Sequence, residues 1–208
     1  MLEEAMAFLY GYDHKTIDKP RGYSLLQASR DAGCKIALVE QRMNAQNISD
    51  EDKHKILKDL KKIATSSPYH WVDSYIGQWY TFEQKNQAVA WLEKAVHKGN
   101  AHAMFDLGID YSTGSSGLTQ SWTKANELYT LAADKGHASA RFNLGFSYRD
   151  GTGGLAIDFN RCVALWDQSA KQGVIQAQRS LGEMYRLGSQ DGPPMTIPVD
   201  PQLSFRWN

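Results

Sequence analysis

Apolar residues recur along most of this chain with helical spacing. In Ala103-Met-Phe-Asp-Leu107-Gly108-Ile-Asp-Tyr111 the Ala, Leu and Tyr stand at i, i+4 and i+8, on one face of a helix. The pattern returns as Ala140-Arg-Phe-Asn-Leu144-Gly145-Phe-Ser-Tyr148 and as Ala177-Gln-Arg-Ser-Leu181-Gly182-Glu-Met-Tyr185. The step between the three glycines is constant (145 − 108 = 37; 182 − 145 = 37). Self-similarity at a fixed period of this size marks a solenoid. A mid-helix glycine costs about 1 kcal/mol against alanine, so its return beside each Leu predicts a helix contact too close for a Cβ.

The second half of each unit supplies the partner helix. After the Gly114–Gly117 turn, Ala125, Leu128, Ala132 and Ala133 form an i, i+3, i+7, i+8 stripe, and Gly136 is placed to end that helix in a left-handed cap. The next copy carries Gly151, Gly154, Leu155, Asp158, Cys162, Leu165, Trp166, Ser169, Ala170 and Gly173 at nearly matching places, with Asp158 a good N-cap. An earlier copy, Val72-Asp-Ser-Tyr-Ile76-Gly77-Gln-Trp-Tyr80, lies only 31 residues before Gly108 (108 − 77), because the Gly-rich loop is missing ahead of Ala88, Trp91, Leu92, Ala95 and Gly99.

Towards the N-terminus the signature fades. Glu4 to Tyr12 and Gly22 to Gly33 read as a divergent first pair, while Lys35 to Gln46 and Asp50 to Ala64 keep only helical periodicity. In the latter, Ile56, Leu57, Leu60 and Ile63 are expected to face inward, the acids at its start and Lys58, Lys61 and Lys62 near its end suiting the helix dipole. Ser67-Pro68 opens the following helix. At the other end, the loop from Gly188 to Asp200 runs 12 residues (200 − 188) against 7 in the preceding copy (158 − 151). Ser204 to Trp207 begin a partner helix that is not completed, so a continuing natural chain is expected.

The succession Ala-x-x-x-Leu-Gly-x-x-Tyr, Gly-rich loop, Asp, small-x-x-Leu-aromatic, then Ala-Ala or Ser-Ala before Gly resembles the Sel-1-like repeat family, a branch of the tetratricopeptide-type helical solenoids. The resemblance is strong over residues 72–207, weak over 5–33 and lost between them. It implies an all-α, right-handed α-solenoid of antiparallel helix pairs, a single repeat domain over 1–208. Its expected units are a divergent first repeat 1–33, a degenerate pair 34–66, repeats 67–99, 100–136 and 137–173, and a truncated repeat 174–208.

Composition narrows the functional classes. Lys plus Arg equals Asp plus Glu at 23 each, so no net field attracts a polyanion and nucleic-acid binding is not favoured. Acids at Glu3 and Glu4 do not fit a signal peptide, and no apolar run approaches the roughly 18 residues of a membrane span. Cys34 and Cys162 lie several units apart and are not expected to pair, from which a reducing compartment, the cytoplasm, is expected.

No constellation for catalysis stands out, and no cofactor or metal is expected. His97 and His102 straddle a helix stop, His137 follows the next one, and His14, His54 and His70 are isolated, a set read as surface or turn residues. Gly151-Thr-Gly153-Gly154 lacks the strand before and the Lys-Ser or Lys-Thr after that would make a phosphate loop. No local Ser, His and Asp frame suggests acyl transfer.

One anomaly remains. Opposite the Ala-Leu-Tyr face a surface helix should be polar, yet the residues two before and two after each signature Leu are Phe105 and Ile109, then Phe142 and Phe146. In the following copy they are Arg179 and Glu183, and Arg149 and Arg186 follow the Tyr of their own copies. In tetratricopeptide-like solenoids the first helix of each pair lines the concave surface, so the resemblance implies that these eight residues look into a groove. Aromatics with arginines beside them make binding hot spots; Phe105 and Phe142 could instead pack between consecutive first helices. The expected function is a non-catalytic interaction scaffold or adaptor holding a peptide or helix on its concave face. The alternatives are a cell-wall glycan accessory of an exported bacterial protein, using carboxylates near Trp71 and Trp79, and a purely structural spacer.

Overall fold

A computed structural model of the chain describes Ala5 and residues 16–31, 49–66, 72–74, 76–77, 80 and 85–187. Its helices are α1 (Lys19–Asp31), α2 (Asp50–Ser66), α3 (Lys85–His97), α4 (Ala101–Thr113), α5 (Trp122–Asp134), α6 (Ala138–Asp150), α7 (Phe159–Lys171) and α8 (Ile175–Leu187), with a 3-10 turn at Thr152–Gly154. Val72 to Ser74, Ile76, Gly77 and Tyr80 are helical as well, and there is no strand among the described residues. From α3 onward each helix packs on the next in chain order, which makes the array a helix-pair solenoid. The expectations for Glu4 to Tyr12, Lys35 to Gln46, Ser67-Pro68, the Gly188–Asp200 loop and the last half-unit fall outside the described residues, apart from Ala5.

The repeated glycine sits where the second helix of its own pair presses closest. A Cβ on Gly108 would stand 2.6 Å from Tyr129 Cε1, one on Gly77 would stand 2.8 Å from Leu92 Cγ, and one on Gly145 would run into the Trp166 indole. Leu92, Tyr129 and Trp166 are themselves one period apart (129 − 92 = 37; 166 − 129 = 37). All three are buried, so the joint within each pair is a large side chain laid against bare helix backbone.

The joint between pairs is equally regular. At the ends of α3, α5 and α7 the N–H groups of Gly99, Gly136 and Gly173 donate to Val96, Ala133 and Ala170, and those of Asn100, His137 and Val174 donate to Ala95, Ala132 and Ser169. Left-handed glycines at these three stops (φ 85°, 85° and 93°) allow the reversal and satisfy carbonyls that a helix end leaves bare. Asn100 then caps α4 by accepting the Ala103 N–H at 2.8 Å, and Asp158 caps α7 by accepting the Arg161 N–H at 2.9 Å.

Apolar clusters follow one another along the array from α2 onward. Ile56 and Leu60 of α2 are buried against Val72, Ile76, Tyr80 and Ala88, with Leu57 and Ile63 half-buried beside them. Asp73 is fully buried and takes the ammonium of Lys94 at 3.1 Å and that of Lys98. One contact has no counterpart in the repeat pattern: Ile17 donates its N–H to the Gln172 carbonyl at 2.7 Å and packs against the core built by α6, α7 and α8.

Candidate functional site

Of the residues expected to face a groove, α4 carries Phe105 and Ile109, α6 carries Phe142, Phe146 and Arg149, and α8 carries Arg179, Glu183 and Arg186. The first five are half-buried and the last three exposed. Phe142 and Phe146 meet edge to face at 4.8 Å, and both lean on Trp166, at 5.8 and 4.9 Å. Trp166 is held from behind, its indole N–H donating to the Phe142 carbonyl at 3.0 Å.

Arg149 closes this aromatic cluster from the solvent side, its guanidinium 4.5 Å from the Phe146 ring centre and 5.9 Å from that of Trp166. Asp150 accepts two bonds from it, at 2.6 and 2.9 Å, and this pairing raises the guanidinium pKa further above its usual value. The cation is thus held over the Phe146 ring.

Phe105 and Ile109 belong to the preceding core. Phe105 stacks on His137 at 4.6 Å and tilts against Tyr129 at 6.0 Å, so part of its ring is spent on joining one helix pair to the next. Ile109 packs beside it on the cluster of Met104, Tyr129 and Leu144. On α8, Glu183 and Arg186 face each other at 3.9 Å. A separate crevice of about 330 Å³ opens between α5, α6 and α7 over Ala133, Leu144, Tyr148 and Leu165, with Arg141 and Arg161 at it; none of the eight residues lines it.

The histidines fit the expectation of surface or turn positions only in part. His54 and His97 are exposed, but His137 is 1% exposed and caps α6, its Nδ1 accepting the Ala140 N–H at 3.2 Å. That bond leaves the proton on Nε2, which lies 3.2 Å from His102 Nδ1, while His102 Nε2 is 3.7 Å from the Asp106 carboxylate. Burial, reinforced by His102 and Arg141, pushes the His137 pKa well below its ordinary value, so the ring is neutral. The capping role, though not the burial, was available in the period, because position 137 matches the capping Asn100 (137 − 100 = 37). His14 and His70 lie outside the described residues, among which no cluster of three or more metal-ligating side chains occurs.

The Sel1 repeat matches residues 75–100, 101–137, 138–174 and 175–207, more than half of the chain. No curated protein matches the chain in sequence. Among solved structures, a Sel1 repeat protein from Oxalobacter formigenes superposes with a TM-score of 0.71 at 20% identity, over 99% of this chain and 83% of that one. A protective antigen of uropathogenic Escherichia coli with an SLR fold gives 0.50 at 20% identity, over 99% of this chain and 51% of that one. The immunity protein Pa5087 from Pseudomonas aeruginosa gives 0.58 at 18% identity, over 99% and 77%.

These likenesses correct the cytoplasmic expectation, since the fold's solved examples include an antigen and an immunity protein. Cys162 is fully buried in the cluster of Trp166, where it fills core space, and burial pushes its thiol pKa up to about 12. Cys34 lies outside the described residues. With four matched repeats and a helix-pair array to fit them, the chain belongs to the Sel1 repeat family and is a non-catalytic repeat protein of the kind that mediates interactions between proteins.

Proposed function

We propose that the protein is a scaffold that holds a peptide or a helix of another protein on the face formed by α4, α6 and α8. The observation that carries this reading is the half-buried pair Phe142–Phe146 under Arg149. Rings fixed by Trp166 lose little freedom on binding, and a guanidinium held by Asp150 is ready to meet a carboxylate or a backbone carbonyl at the edge of the contact. Ile109 and Phe105 extend the apolar strip towards α4, and Arg179, Glu183 and Arg186 give a polar margin on α8. That the four apolar residues are only half-buried favours a binding face over a purely structural spacer. Trp71 and Trp79, the residues of the glycan reading, lie outside the described residues.

The test is a pull-down comparing wild type with the Ile109→Asp, Phe146→Asp double variant, with helicity and melting checked in parallel. A folded variant that loses its protein partners supports the reading; a folded variant that keeps all of them overturns it.

A further inference from the structure

The turn that ends each second helix is covered by a residue from another part of the chain. Over Gly99, the Lys135 ammonium lies 3.4 Å from where a Cβ would stand. Over Gly136, Gln172 donates from Nε2 to the glycine carbonyl at 3.0 Å. Lys135 and Gln172 are equivalent positions (172 − 135 = 37), so one repeat reaches back over the exit of the one before it.

At the third turn the cover comes from the opposite direction. Ile17 lies over Gly173, its Cβ and carbonyl oxygen each 3.6 Å from where a glycine Cβ would stand, and its N–H donates to the Gln172 carbonyl at 2.7 Å. The side chain joins the apolar cluster of Val174, Ala170 and Trp166. Directly after it, Asp18 starts α1 by accepting the Arg21 N–H at 3.1 Å, so the segment is non-helical and then immediately helical.

We infer that the Gly173 turn is a docking site for a non-helical segment with an aliphatic side chain, and that Thr16–Asp18 of this chain is its occupant. The segment acts as a clasp between α1 and the joint of α7 with α8. Three features make the site: a helix-end carbonyl that accepts the Ile17 N–H, a glycine with no side chain in the way, and an apolar cluster beside it. The clasp does in cis what Lys135 and Gln172 do for their neighbours.

The experiment uses the full chain, wild type and Ile17→Asp, and a labelled peptide spanning His14 to Ser24, read by fluorescence anisotropy. The Ile17→Asp protein is expected to bind the peptide saturably. The wild type, whose own segment competes at high effective concentration, is expected to bind it about tenfold more weakly or worse. A peptide carrying Ile17→Asp is expected not to bind, a comparison that needs no change to the protein. Hydrogen exchange in parallel should show faster exchange in α1 of the variant with α4 to α7 unchanged. Equal binding of the two peptides, equal binding by the two proteins, no binding to the variant, or unchanged exchange in α1 would each overturn the assignment.

Discussion

Replacing Gly145 by alanine sets two effects against each other. Alanine in mid-helix gains about 1 kcal/mol over glycine, but its methyl would collide with the Trp166 indole, and overpacking costs about 1–3 kcal/mol. Because the indole is buried and tethered to the Phe142 carbonyl it cannot swing away, so urea denaturation should show Gly145→Ala less stable than wild type by about 1–2 kcal/mol. A gain in stability would mean that the ring moves freely. His137 gives a second outcome at this scale. Its folded-state pKa lies below the unfolded value near 6.5, so only the unfolded chain takes up a proton as the pH falls past that point. Stability should therefore drop below about pH 6.5, by at most about 1.4 kcal/mol per pH unit. The His102 and Asp106 side chains of α4 and Arg141 of α6 share that environment. In His137→Asn, which keeps a capping acceptor as Asn100 does, melting temperatures between pH 7 and pH 5 should lose most of this slope. Glycine spacing was readable in the sequence because no other residue fits there. The burial of His137 was not, since a histidine in a turn looks the same whether a neighbouring repeat covers it or water does.

Helices in this chain are short, most of them 13 residues, and so depend on their ends. Asp158 accepts the Arg161 N–H, and its own N–H donates to the Tyr148 carbonyl at 2.8 Å, tying the start of α7 to α6; Ser121 makes the matching link to Tyr111. Asp158→Ala should cost about 1 kcal/mol in chemical denaturation, and Asp158→Asn only a few tenths. Periodicity and caps made α4 to α7 legible nearly residue by residue. The face opposite the core was less so. Phe105 and Phe142 occupy equivalent sequence positions, yet one stacks on a histidine of the next pair and the other on a tryptophan of its own, a difference set by which neighbour fills the adjoining space.

As a whole molecule the array is a chain of nearest-neighbour contacts. One long-range link was invisible to any reading of the period: Ile17 reaches Gln172 from 155 positions away (172 − 17), a pairing that spacing alone cannot encode. Ile109 packs on a different cluster from Ile17, so Ile109→Asp should leave binding of the N-terminal peptide by the Ile17→Asp protein unchanged. Within the array the fit of Tyr129 and Trp166 against Gly108 and Gly145 has its own consequence. A knob that cannot shrink seated on a spot that cannot grow is indifferent to how many copies lie on either side, so the length of such a protein is free to vary while its cross-section is not.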